Sequence, residues 1–185
     1  MKRDQDFPLH GDCANLAPAA MLSREICRAS AHKRGGAMPK VDLDALPVLG
    51  GSGYLPPYAQ AVAGRSRRAV ADDLLAFGAN LVRLEPGAWS SQRHWHTAED
   101  ELVIMVSGEA VLIEDGGETL LRPGDIATFP RGVANGHHLV NRTSADVVFL
   151  AVGNDAPDTD ECHYPDIDMF WSGATGFVRK SGEPG

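Results

Sequence analysis

Residues 94–101 read His94-Trp95-His96-Thr97-Ala98-Glu99-Asp100-Glu101. Successive side chains alternate along an extended strand, so the two imidazoles share one face and Trp95 takes the other. Glu101 follows His96 by five positions and opens the apolar run Leu102-Val103-Ile104-Met105-Val106. A short loop between two antiparallel strands would return its carboxylate to the imidazole pair. Two neutral imidazoles and one carboxylate suit a first-row divalent ion with open coordination positions. Such an ion can polarise a carbonyl, activate water or take up dioxygen. The competing reading is a polar strand edge with two solvent-facing histidines.

The scaffold that must hold these groups is bounded by composition. The chain has 185 residues, of which 43% are hydrophobic, enough for one globular domain with a proper core. A net charge of -8 argues against nucleic acid and anionic membrane surfaces as partners. No apolar run is long enough to span a bilayer. Lys2 and Arg3 are followed at once by Asp4 and Asp6, and Pro18 breaks the weakly apolar stretch 14–22, so no signal peptide is expected. Cys13, Cys27 and Cys162 form neither a paired framework nor a CxxC spacing, which fits a reducing, cytoplasmic setting. Cys162 adjoins His163 and is read as a small, partly buried residue rather than a reactive thiol.

Four segments are expected. Residues 1–37 carry six Lys/Arg against four Asp/Glu and little periodicity, and are read as a disordered extension or an over-read upstream of a true start at Met38. Residues 38–79 form an amino-terminal arm that includes the Gly/Pro-rich Pro47–Pro57 segment. Within it Arg65, Arg67 and Arg68 are read as a solvated face, with an anion site as the alternative. Residues 71–77 form a helical turn or a loop. Residues 80–153 hold many short strands, at 80–84, 101–107, 109–114, 118–121, 126–129, 137–141 and 147–152, separated by turn signals such as Asp115-Gly116-Gly117. That spacing predicts an all-β sandwich or barrel. Residues 154–185 form a short polar, Pro-rich tail, helical or disordered, with one ordered-looking piece from His163 to Phe170. There His163, Tyr164, Asp166 and Asp168 form a second polar group, placed either over the barrel mouth or against a neighbouring subunit.

Residues 80–152 resemble the cupin superfamily. Gly87, His94, His96, Glu101 and Gly108 match its first motif, with one extra residue after Gly87. Gly124, Pro130, Gly132 and Asn141 match the second, whose histidine slot holds Asn135 when counted from Gly132 and His137 when counted back from Asn141. The resemblance implies a double-stranded β-helix, a jelly-roll with an irregular amino-terminal extension and a short carboxyl tail. It implies a metal centre of His94, His96, Glu101 and a third imidazole. An insertion of two residues makes that imidazole His137. His138, one position on, faces the other way and is the alternative. The bound ion would be Fe, Mn, Zn, Ni or Cu.

Strand parity places Gln92, Val103 and Met105 on the inner side; Gln92 is a candidate for a hydrogen bond behind a metal ligand or for a substrate contact, with a loop residue in water as the alternative, and Met105 is a candidate substrate contact that core packing suits better. Asn135 could give a weak oxygen ligand or a substrate hydrogen bond. Phe129 could wall the pocket or pack the core. Arg93, Arg131 and Arg142 are possible carboxylate partners that more readily read as surface residues. Trp95 faces away from the metal, towards an oligomer contact. Two functions follow. One is a metal-dependent enzyme acting on a small oxygenated molecule as a dioxygenase, decarboxylase or isomerase. The other is a non-catalytic binder of a sugar or small acid. No acid–base residue apart from the ligands stands out. A homodimer is expected because exposed sheet edges are otherwise a liability, with the 47–57 arm as its swap element.

Overall fold

The computed structural model describes residues 40–154 and 156–181, so the expectations for residues 1–37 and the Met38 start lie outside the described residues. The strands are β1 (Leu49–Gly50), β2 (Arg65–Ala69), β3 (Phe77–Leu84), β4 (Trp95–His96), β5 (Glu101–Ser107), β6 (Ala110–Glu114) and β7 (Gly117–Leu121). They continue with β8 (Ile126–Phe129), β9 (His138–Val140), β10 (Val147–Asn154), β11 (Glu161–His163), β12 (Phe170–Ser172) and β13 (Gly176–Val178). A 3-10 turn spans Tyr58–Val62. Residues 71–77 are a loop with one turn, closed by Leu74 N–H on Ala71 O at 3.0 Å. No helix is long and apolar enough to cross a membrane among the described residues.

Alternation decides which side chains face inward. On β5, Val103 and Met105 are buried while Val106 is exposed. The turn residues do what their types allow. Glu114 pairs with Gly117, so Asp115-Gly116 is a two-residue hairpin loop between β6 and β7. Gly108 has φ +74°, and a Cβ there would lie 2.6 Å from Asp146 O. Any other residue would force the β5–β6 corner open.

All strand pairs are antiparallel. One sheet runs β1-β2-β3-β10-β5-β8, and a second runs β7-β6-β9. Val82, Leu84, Met105 and Phe149 of the first pack with Leu112, Leu121 and Leu139 of the second to form the barrel core. Each such side chain contributes about 1.5–3 kcal/mol by leaving water. This is the all-β architecture that the strand spacing predicts, in the jelly-roll form that the resemblance implies.

The tail is more ordered than its composition indicates. β11, β12 and β13 form a third sheet with β4, in the order β13-β12-β11-β4. Cys162 pairs with His96 and His163 with Trp95, so the tail is bonded to the strand that carries the histidines. A second core joins it to the arm through Tyr54, Val62, Cys162, Tyr164, Met169, Trp171 and Phe177. The arm thus lies on its own domain, with β1 bonded to β2 of the same chain.

Asn141 lies just beyond β9, with 0% exposure. Its amide donates to Leu84 O (3.0 Å) and Ala145 O (2.8 Å), and its Oδ1 accepts from Thr143 N–H (2.9 Å). Asn141→Ala leaves these groups without partners and should cost about 2–4 kcal/mol. Urea unfolding measures this, and a loss well below 1 kcal/mol would refute the structural role.

Candidate metal centre

Three chain segments meet at one carboxylate oxygen. Glu101 opens β5, His96 ends β4, and His94 and His137 form an antiparallel bridge with N–H···O distances of 3.2 and 2.9 Å. Glu101 Oε2 lies 3.1 Å from His137 Nε2 and 3.7 Å from both His94 Nε2 and His96 Nε2. Bonds of about 2.0–2.2 Å to a shared first-row ion would set neighbouring donor atoms roughly 3.0–3.6 Å apart. His94, Glu101 and His137 offer donor atoms within 4.8 Å of one another, near the size of one coordination shell, and His96 approaches the same carboxylate oxygen from the side.

Hydrogen bonding settles the proton positions on two rings. His94 Nδ1 is 2.9 Å from Gln92 O, an acceptor, so Nδ1 is assigned the proton and Nε2 the lone pair. Burial, with the neighbouring charges of His137 and His96, holds His94 well below its usual range and therefore neutral. His96 Nδ1 is 2.6 Å from Asp160 Oδ2 and donates to it. Burial opposes charge on His96, but Asp160 and Glu101 outweigh it and raise the ring to about 8. Burial likewise opposes charge on Glu101, yet the His137 hydrogen bond and the charge of His96 hold the carboxyl well below its usual range. An ionised carboxylate thus faces the His94 lone pair, an acceptor opposite an acceptor. A cation between them resolves that conflict, so the donor set fits a divalent metal.

Asp160 comes from the tail and is 1% exposed. Its second oxygen accepts from Ala98 N–H at 2.8 Å, which fixes its position. His137 is oriented by stacking instead. The Phe129 ring lies flat against it at 3.6 Å and 1°, while His137 Nδ1 is buried without a partner.

The four side chains open onto a cavity of about 160 Å³, about the size of one small metabolite. The 27% exposure of the Glu101 side chain is compatible with an opening into that cavity. Val103, Phe129 and Ala151 line it from the barrel, and Tyr54, Tyr164 and Trp171 from the second core. Tyr164 stacks on His94 at 5.8 Å and 25°. The tail therefore folds back over the site.

Several expected contacts fall elsewhere. His138 points away from Glu101, bonds Ser91 O at 3.0 Å and meets Trp89 edge-on. Gln92 is buried, but its amide is spent on Tyr58 O at 2.7 Å and it does not line the cavity; its carbonyl orients His94 instead. Met105 is 2% exposed in the barrel core, one pleat too far along β5 to reach the cavity. Asn135 bonds Glu114 and Asp115 N–H, bracing the β6–β7 hairpin, and touches only a smaller pocket beside His96.

Arg93, Arg131 and Arg142 are paired with Asp115 and Asp166, with Asp100, and with Glu118. Trp95 faces away from the metal-ligand set as expected, but it stacks on His163 of its own chain. Cys162 is buried and its thiol is pushed well up by burial, which matches the inert reading. The arginines that do line the cavity are Arg65 and Arg67, read from sequence as a solvated face. Sequence reasoning missed Asp160, whereas Tyr164 belongs to the polar group for which a place over the barrel mouth was one alternative, and it lies there. The alternation of Asp160 with Cys162 and Tyr164 was the available signal for Asp160.

Glu99, 6% exposed, lines the same cavity. Burial raises its carboxyl from 4.5 to about 7, against the lowering effect of Ala156 N–H and His96. The folded state then binds its proton more tightly than the unfolded chain. Stability from this group is full below 4.5 and is lost as pH rises through about 7. In chelator-treated protein, Glu99→Gln should gain melting temperature relative to the parent between pH 4.5 and 7.5. A constant difference across that range would contradict the shift.

Comparison with known proteins agrees with this fold. The Cupin domain family matches residues 80–153. A sugar phosphate isomerase of the cupin superfamily from Silicibacter pomeroyi is 47% identical, with a TM-score of 0.74 over 79% of this chain and 96% of that one. A putative sugar phosphate isomerase from Acidithiobacillus ferrooxidans is 27% identical, with a TM-score of 0.58 over 64% of this chain and 78% of that one. The polyketide cyclase RemF from Streptomyces resistomycificus is 16% identical, with a TM-score of 0.52 over 64% of this chain and 80% of that one, a likeness of fold alone. No curated protein matches the chain. Motif residues, jelly-roll topology and a near-complete overlap with a 47% identical relative agree, and the chain belongs to the cupin superfamily.

Proposed function

We propose that this chain is a metal-dependent enzyme acting on a small oxygenated molecule, with isomerisation of a phosphorylated sugar as the leading reaction. Decarboxylation and dioxygenation are the other members of that class. The observation that carries this reading is the convergence of His94, His96 and His137 on one Glu101 oxygen at the wall of a cavity. The similarity to a sugar phosphate isomerase supports the choice of reaction.

His94, His96, Glu101 and His137 would hold the ion. When bound, such an ion supplies a Lewis acid for a carbonyl or hydroxyl oxygen of the substrate. Gln92 O holds the His94 ring and Asp160 holds the His96 ring, so each presents Nε2 to the cavity. The walls of Phe129, Val103 and Trp171 exclude water and strengthen every charge interaction inside. The working unit in this reading is a cytoplasmic homodimer, supported by the open edges at β1 and β8.

Elemental analysis of untagged protein should find about one first-row divalent ion per chain. His96→Ala should lose both that ion and turnover of sugar phosphates, and unchanged turnover would defeat the reading. Binding without turnover in the metal-loaded parent would assign the non-catalytic role instead. Asp160→Asn should keep the fold and weaken metal affinity about 10- to 100-fold, read by chelator competition. Parental affinity in that variant would remove Asp160 from the centre.

A further inference from the structure

We infer that the Tyr164 hydroxyl is a substrate-binding group, which donates a hydrogen bond to a carbonyl or hydroxyl oxygen of the cavity's ligand beside His94. This deepens the reading above by naming a contact that the tail supplies. It rests on that reading for a small oxygenated ligand, and not for the metal or for turnover.

Asp160, Cys162 and Tyr164 alternate along β11 and its flanks, so they share a face. Cys162 lies opposite His96 in register, which makes that face the inner one. All three are buried, whereas Glu161 is exposed. Pro165 follows Tyr164 and disfavours a helical backbone before it, which keeps Tyr164 extended. Aromatic contacts then fix its ring. His94 lies at 5.8 Å, Tyr54 meets it edge-on at 5.7 Å, and Phe177 lies at 6.3 Å. A donor held this firmly loses little freedom when a ligand reaches it.

The hydroxyl is the part of this residue that the protein leaves unfinished. Tyr164 is 1% exposed and lines the cavity, yet its buried oxygen closes no hydrogen bond of ordinary geometry within the protein. Its polar neighbours are the Tyr54 hydroxyl and the Cys162 thiol, both on the wall of the same cavity. Each of these three groups carries one proton. Tyr54 Oη also accepts from Gln92 N–H at 3.4 Å. Those protons meet only two phenolic oxygens and a sulfur that accepts weakly, so this wall is short of side-chain acceptors. A buried phenol ordinarily finds a partner, and leaving one open costs free energy that a bound oxygen would recover.

What is missing is an acceptor, and that sets the chemistry of the ligand. A phenol with an ordinary value of about 10 holds its proton through the neutral range, so Tyr164 donates without any titration. Carbonyl and hydroxyl oxygens accept such a proton, and a hydrocarbon group does not. Because the ring stacks on His94, an oxygen bound there stands next to the imidazole group, with Val103 and Phe129 lining the same cavity. The tail therefore brings a polar contact to the site that the barrel motifs do not contain.

Two measurements on Tyr164→Phe test this, one with ligand and one without. Calorimetric titration of the protein as purified would use D-ribose 5-phosphate and D-mannose 6-phosphate, each beside its alditol, D-ribitol 5-phosphate and D-mannitol 6-phosphate. The parent should bind at least one of the four, and Tyr164→Phe should weaken that probe roughly three- to ten-fold. A loss confined to the sugar places the contact at the carbonyl carbon, and a loss shared by the alditol places it at a hydroxyl. Without ligand, the melting temperature of Tyr164→Phe should equal or exceed that of the parent, because the removed hydroxyl is bonded to nothing in the protein. A hydroxyl with a structural role would instead lower it by about 2–4 °C. Such a fall, failure of the variant to fold, parental affinity of the variant for every probe, or no binding of any probe by the parent overturns the assignment. If Tyr164→Phe behaves as expected while His96→Ala keeps full turnover, the metal reading fails alone. If Tyr164→Phe binds as the parent does while His96→Ala loses turnover and metal, the Tyr164 contact fails alone.

Discussion

An ionised carboxylate facing the lone pair of a neutral imidazole is the constraint on which this molecule depends. Glu101 stays charged, and burial keeps His94 neutral. Left alone, two acceptors 3.7 Å apart repel. The arrangement persists because each ring is gripped from behind, His94 by the Gln92 carbonyl, His96 by Asp160 and His137 by the face of Phe129. The rings cannot swing away to relieve the conflict. A divalent cation held between them would remove it.

The cavity beside this group exists because two cores meet without closing. On the inner face of the six-stranded sheet, the row next to Glu101 carries Val103 and Ala151, side chains too small to fill the interior. The facing wall is supplied by the arm and tail through Tyr54, Tyr164 and Trp171. Aromatic rings there contribute large buried area and present polar tips to the hollow. Carboxylates, imidazoles and the side chains of Arg65 and Arg67 share this one hollow.

Much of this was legible in residue order, and for local reasons. Strand 101–107 matches β5 to the residue, since alternating burial and a closing glycine are both local signals. The choice between His137 and His138 rested on spacing to Asn141, and the geometry places His137 against Glu101, although Asn141 itself turns out to tie loops together. The run of arginines at 65–68 was misread because charge usually marks a solvated face. Nothing local says that a strand beginning with two alternating arginines lies inside a sheet. The tail was misread because its apolar residues are few and its three strands are short, so no period accumulates.

Residue types and spacing determined by themselves that the chain is a β-roll and that His94, His96 and Glu101 belong together, because side-chain alternation and turn chemistry act over a few residues. Only the folded chain decided that Asp160 stands behind His96, that Tyr164 lies on His94, and that Arg65 and Arg67 share their hollow. The reason is sequence distance. Asp160 is 64 residues from His96, and no local rule reaches across that interval. Contacts of that kind are set by how sheets curl and which apolar surfaces find cover.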